Sequence, residues 1–188
     1  MDALDALINR VSAPRLIEPA PTAEQREQLF RAALRAPDHG QLRPWRFLTI
    51  EGDGRHALGD LFAEAIAGKY SEADEEALTK ARNMPLRAPL LVVVIARAQE
   101  HPKVPAQEQV LAAGCAAHAI LLAAYAQGIG GVWRTGELSH DPIVDAGLGL
   151  ADNEQVIGYL YLGTPQRELR AAPQADIGAF VSSWPHKN

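Results

Sequence analysis

One cysteine, Cys115, stands in a chain of 188 residues. That excludes an internal disulfide framework and makes a reducing compartment the default. Basic residues are in deficit: 18 Lys and Arg against 23 Asp and Glu give a formal net charge of −5, where a general nucleic-acid binder needs a basic face. Aromatic residues are 6% of the total and no low-complexity run occurs, which removes collagen-, mucin- and prion-like classes. The familiar nucleotide and hydrolase signatures are missing as well. Gly128 and Gly130 begin a G-x-G-x-x-G, but position 133 is Trp, and these glycines follow a helical pattern where the fingerprint needs a strand. There is no G-x-x-x-x-G-K-[ST], G-x-S-x-G or H-E-x-x-H, and the six histidines have no ligand spacing, so no protein-bound metal is expected. The opening Met1-Asp2-Ala3-Leu4-Asp5 is acidic where a secretory signal is basic, which makes the cytoplasm the expected location.

What is present is 47% hydrophobic sequence, enough for one domain over residues 1–188. Leu4, Leu7, Ile8 and Val11 have helical spacing, ending near Ser12-Ala13-Pro14. Thr22-Ala23-Glu24-Gln25 reads as a capping box opening a helix that Pro37 stops. A Pro-bounded loop then enters the strand Trp45–Ile50. Leu58, Leu61, Phe62 and Ile66 suggest a further helix, and Ser71 to Arg82 runs from acids to bases as the helix dipole favours. The β-branched stretch from Leu90 to Ile95 is continuously apolar, the pattern of a strand covered on both faces. From Gln107 to Gln127 a long Ala-rich helix is apolar nearly all round, which places it centrally in the core or at a subunit interface and not in a membrane, given Gln109, His118 and Tyr125. Cys115 on it reads as an inert core thiol and His118 as a core or interface histidine. Val132–Gly136 and Gln155–Gly163 read as strands, with a brief helix after Pro142. The last 25 residues, from Thr164, are Pro-interrupted and have no core of their own, so they lie along the body or reach to a second subunit.

Fourteen of the 18 basic residues are Arg, and seven of these fall in the first 46 positions, where there is no Lys. Arg10 and Ser12 stand where one helix ends, Arg35 and His39 where another ends, and Trp133-Arg134-Thr135 follow a Gly-rich turn. Arginine forks suit anionic ligands such as phosphate. Arginines paired with nearby Asp5, Glu24, Glu27 and Asp38 are the competing reading. A hydrolytic set from Ser12, Asp38 and His39 is disfavoured, because sequence neighbours on one loop rarely face each other.

Arg10-x-Ser12 with Arg15, then Arg35-Ala36-Pro37-Asp38-His39 through Arg43-Pro44-Trp45-Arg46-Phe47, closely resembles the opening of FMN-dependent nitroreductases. Gly130-Gly131-Val132-Trp133-Arg134-Thr135-Gly136 and Gly158-Tyr159-Leu160-Tyr161-Leu162-Gly163-Thr164-Pro165 extend the likeness over nearly the whole chain, and it is strongest to the short members of that family. The resemblance implies an α+β fold with a mixed, mostly antiparallel central sheet flanked by helices. It also implies a homodimer with FMN at the interface and a domain-swapped C-terminal arm. Arg10, Val11, Ser12 and Arg35 are implied to contact FMN, and His39 to reach the site of the other subunit. Trp133, Arg134 and Thr135 are implied on the isoalloxazine or phosphate side, and Ala123, Ala124, Tyr125, Ala126, Gln127 and Gly128 near the nicotinamide nucleotide. Val11 stands where relatives usually have a second Arg, so only a backbone contact is expected there, with Arg15 or Arg167 as substitutes.

The activity so implied passes hydride from NADH or NADPH to flavin N5 and then to a nitroaromatic, quinone or similar small-molecule acceptor, in a ping-pong cycle without a dedicated acid or base. The alternatives are another reductase or dehalogenase on the same fold, for which Ile66–Pro85 is the one candidate lid, and a non-catalytic flavin-binding or regulatory dimer.

Overall fold

The structure is a computed structural model and describes residues 1–70 and 74–184. In chain order its elements are α1 (Ala3–Asn9), β1 (Leu16–Ile17), α2 (Ala23–Ala33), β2 (Trp45–Glu51), α3 (Gly54–Lys69), α4 (Glu75–Asn83), β3 (Leu90–Arg97), α5 (Ala106–Ala126), β4 (Gly130–Arg134), α6 (Pro142–Gly147) and β5 (Glu154–Pro165). The expected capping box closes around α2: the Thr22 amide donates to Gln25 Oε1 at 2.9 Å, and the Gln25 amide to Thr22 Oγ1 at 3.3 Å. The start of the acid-led helix, Ser71 to Ala73, lies outside the described residues. The remainder of the candidate lid is ordinary packed helix, with α4 seated against α3.

β3 has β2 on one edge and β5 on the other, and β5 also pairs with β4 and β1. All of these pairings are antiparallel, so no parallel pair occurs among the described residues. The period-two rule for strands divides the core. Leu90, Val92, Val94 and Ala96 join Leu160 and Leu162 beneath α5, whereas Leu91, Val93 and Ile95 join Tyr159 and Tyr161 beneath α3. Both faces of β3 are thereby dry, as its uninterrupted apolar sequence requires.

α5 presents Ala112, Ala113, Ala116, Ala117, Ile120, Leu121 and Ala124 to the sheet, the small side chains letting its backbone come close. Its other face is open: Leu111 is 61% exposed, and Cys115 and His118 are exposed. This corrects the reading of Cys115 as a core thiol. At about 100° per residue, Cys115 is turned away from the buried Ala116 and falls on the outward stripe with Leu111 and His118. After β5, Leu169 is the last apolar side chain packed against the body among the described residues. Ile177, Phe180 and Trp184 beyond it are 73%, 81% and 90% exposed.

Candidate functional site

The segment after α1 is drawn onto β4 by one backbone bond, Ala13 N–H to the Gly131 carbonyl at 2.9 Å. Arg10 caps α1, its amide donating to the Ala6 carbonyl at 3.1 Å. Arg10 and Val11 are half-buried and Ser12 is exposed. The approach is close enough that position 130 must lack a side chain: a Cβ there would sit 2.6 Å from Leu16 Cδ2 and 3.1 Å from Ala13 Cβ.

Alternation along β4 sends Trp133 and Arg134 to opposite faces of the sheet. The Trp133 indole packs into the core under α5 and donates from Nε1 to the Ile157 carbonyl at 3.2 Å. The Arg134 guanidinium lies over the Tyr161 ring, 5.5 Å from its centroid, on the α3 side, and its Nε is buried without a hydrogen-bond partner. Around these residues lies a cleft of about 300 Å³, at the small end of the usual range for small-molecule sites. Its lining includes Phe62, Met84, Arg87, Thr135, Tyr159 and Tyr161. A neighbouring cleft of about 380 Å³ is lined by Pro14, Arg15, Leu16, Arg87, Arg134 and Gln166.

Among the described residues, no carboxylate lines either cleft. Burial pushes both tyrosine phenols up, that of Tyr161 in spite of the opposing pull of Arg134 and Arg87, so both are neutral near pH 7 and neither is a counter-ion. Tyr159 donates instead to the Leu138 carbonyl at 2.9 Å. The competing reading of the arginines as partners of nearby acids holds for some of them. Arg31 pairs with Glu27 at 2.6 Å, Arg26 makes a bidentate pair with Glu51 at 2.8 and 2.7 Å, and Arg46 does the same with Glu154 at 2.7 Å on both oxygens. Among the described residues, Arg10, Arg15, Arg35, Arg87 and Arg134 have no salt-bridge partner. The arginines thus sort into a set paired with acids and a set without an acidic partner among the described residues.

Arg35 and His39 are not at these clefts. Both are exposed, and His39 Nδ1 lies 2.9 Å from Glu108 Oε2 in the first turn of α5. The loop that carries His39 holds Gln41 and Arg43 at positive φ, 55° and 48°, a conformation that costs about 1–3 kcal/mol at each such residue. Asp38 holds it, accepting from the amides of Leu42 at 3.0 Å and Arg43 at 2.8 Å. With its carboxylate so engaged, Asp38 has no part in a hydrolytic set.

Residues 123–128 form the end of α5 and its cap. Ala124 is fully buried in the core. Tyr125 and Gln127 are half-buried, and Ala126 and Gly128 are exposed. No group of three or more metal-ligating side chains occurs among the described residues. Arg87 and Gln166 were invisible to motif reading. The one available signal for Arg87 was its place between Pro85 and Pro89, at the mouth of the most apolar strand.

The Nitroreductase family model matches residues 17–164. Over 177 residues the chain is 50% identical to "Putative NAD(P)H nitroreductase YdjA" of Escherichia coli K12, covering 94% of each chain. A nitroreductase-like family protein from Bacillus cereus superposes with a TM-score of 0.83 at 22% identity, over 99% of this chain and 97% of that one. NfnB, an FMN and NADPH-dependent nitroreductase of Sphingopyxis solved in a point-mutant form, superposes with a TM-score of 0.77 at 17% identity, over 99% of this chain and all of that one. These two structures share the fold.

Proposed function

This chain belongs to the nitroreductase family, and from that premise we propose that it is an FMN-dependent NAD(P)H oxidoreductase that works as a homodimer on a small-molecule electron acceptor, such as a nitroaromatic or a quinone, in the cytoplasm. FMN supplies the redox chemistry when bound, accepting hydride at N5 from NADH or NADPH and yielding it to the acceptor in a ping-pong cycle.

The observation that supports this reading is the acid-free cleft at Trp133-Arg134-Thr135, with a buried Arg134 Nε that has no partner. A buried charged donor left unsatisfied is costly, and an anionic cofactor answers it. Arg10, the Val11 backbone and Ser12 hold the flavin from one side, and Trp133, Arg134 and Thr135 from the other. Among the described residues the lining carries arginine and no carboxylate, a positive local field that favours electron-rich flavin. Arg35 also contacts the flavin, and His39 reaches this site from the partner subunit.

Exposed apolar surface supports the dimer. Leu4, Leu7 and Ile8 on α1 are 67%, 53% and 69% exposed, as is most of the apolar tail. A lone soluble chain rarely leaves so much uncovered. The one domain, residues 1–188, then functions only as a pair, with the C-terminal arm lying on its neighbour.

Purified protein tests the proposal. It should be yellow, and anaerobic NADH or NADPH should bleach it, with colour returning on addition of a quinone. Protein that stays colourless after incubation with FMN sinks the reading. Yellow protein that neither nucleotide bleaches is instead a flavin-binding dimer without reductase activity.

A further inference from the structure

We infer that Glu108 is a positioning residue for His39: its carboxylate fixes a proton on Nδ1 of the imidazole, so that Nε2 is the nitrogen offered across the subunit interface to the flavin. The inference rests on the functional reading above, in which His39 reaches the flavin site of the partner subunit, and it names what holds the imidazole for that task.

The two residues are 69 positions apart. His39 lies on the loop between α2 and β2, and Glu108 in the first turn of α5. Glu108 Oε2 stands 2.9 Å from His39 Nδ1. A carboxylate oxygen only accepts, so the hydrogen between them belongs to Nδ1. The bond made by one ring nitrogen thereby decides the state of the other: Nε2 is an open acceptor on the neutral ring and a donor on the charged one.

Further ties hold the His39 loop to the start of α5. Gln109, adjacent to Glu108 and only 1% exposed, accepts from the Gln99 amide at 2.9 Å and donates to the carbonyls of Gln99 at 2.8 Å and Val104 at 3.2 Å. Gln99 in turn donates from Nε2 to the Leu42 carbonyl at 2.8 Å. Buried Val104 lies against Gly40, where a Cβ would meet its Cγ2 at 3.6 Å. Consecutive residues of α5 thus hold the loop twice, Gln109 through Gln99 and Val104, and Glu108 directly at the imidazole.

Stability does not explain this arrangement. Exposed ion pairs contribute little, and both partners here are exposed, whereas the loop keeps Gln41 and Arg43 at positive φ against their steric preference. Strain that neighbouring contacts maintain is characteristic of ligand-binding segments, and His39 is the side chain that this loop presents to Glu108. An acid in the first turn of α5 also suits the helix dipole, but that demand does not select an imidazole as its partner.

The full chain, dialysed free of ligands, is titrated with FMN by flavin fluorescence for the wild type, Glu108→Ala, Glu108→Gln, His39→Ala and the double variant Glu108→Ala/His39→Ala. Long-range proton–nitrogen NMR spectra of the same chains with isotope-labelled histidine, in alkaline buffer where neutral imidazole predominates, report which ring nitrogen carries the proton. The His39 signals are those lost in His39→Ala. Glu108→Ala should weaken FMN about three- to tenfold and Glu108→Gln, which keeps an acceptor oxygen, by less. The double variant should lose no more than His39→Ala alone, since two residues that act through one contact are not additive. His39 should carry its proton on Nδ1 in the wild type and shift in Glu108→Ala to the Nε2–H form that an unheld imidazole favours. Additive losses in the double variant, full FMN affinity in either single alanine variant, or a tautomer unmoved by Glu108→Ala overturn the inference. A wild type that binds no FMN defeats the functional reading alone. The NMR comparison needs no flavin, and the positioning role then stands if the tautomer shifts and falls if it does not. Glu108 is exposed, so Glu108→Ala should fold, which its Tm verifies.

Discussion

The Trp133 indole occupies the space that a side chain on Gly158 would need. Gly158 lies across from β4 with φ at 156°, and any Cβ there would overlap Trp133 Nε1 and Cδ1. β5 therefore gives up a side chain so that β4 can set an aromatic ring over it, next to Arg134 in sequence and in the site.

Gly158→Ala should accordingly push the indole out of its place. We expect a loss of about 1–3 kcal/mol, as for overpacked cores generally, together with weaker flavin retention because Trp133 and Arg134 share a strand. Urea unfolding and the visible absorbance of purified protein measure the two effects. An unchanged unfolding midpoint would show that the indole moves without cost.

Arg10 and Arg26 should behave in opposite ways. Arg26 holds Glu51 through two parallel bonds and donates from Nε to the Pro21 carbonyl at 2.8 Å, so Arg26→Ala should lower stability by about 0.2–1 kcal/mol and leave flavin bound. Arg10, without an acidic partner among the described residues, should show the reverse: flavin retention reduced about tenfold or more at nearly unchanged Tm. Equal retention in the two variants removes Arg10 from the site.

Arg46 is another arginine held by an acid. Its hydrogen bonds to Glu154 tie the start of β2 to the start of β5 across β3, and they hold the Glu154 carboxyl below the usual carboxylate range. A carboxyl whose folded pKa is depressed stabilises the fold fully above its unfolded value, about 4.3. That contribution disappears as pH falls from there through the lower folded value. Glu154→Gln should therefore flatten the acid limb of the stability curve below about pH 5, with the wild type losing its advantage over the variant as acid is added. Urea midpoints between neutral and acid pH test this, and parallel curves would contradict it.

Composite sites can be detected by complementation. If a site combines Arg10 of one subunit with His39 of its partner, Arg10→Ala and His39→Ala homodimers both lose flavin. Coexpression should nonetheless restore about a quarter of the sites, because each mixed dimer carries one wholly native site and one doubly altered site. No restoration on mixing would place both residues in a site within a single chain.

Much of the fold was legible because local rules determine it. The capping box at Thr22, the double-faced apolar run of β3 and the alanine helix α5 all form where their sequences direct. Cys115 was misjudged for a related reason. A helix that is apolar all round does not say which side meets its own sheet, and composition cannot distinguish a core face from one left open to a partner. At the site, motif likeness brought out Arg10, Trp133 and Arg134. It could not separate Arg46, held by Glu154, from Arg134, held by no acid, since both look alike until β5 is in place.

The sequence by itself determined the elements, the excess of arginine in an acidic chain, and the family, because periodicity, composition and motif order are carried along the chain. Only the tertiary structure decided which arginines are structural and which stand free, and only it brought Arg87 beside Arg134 and Arg15. The physical reason is the range of the interactions. Helix and strand preferences act over a few residues, whereas charge neutralisation depends on what antiparallel pairing and sheet packing bring close from distant parts of the chain.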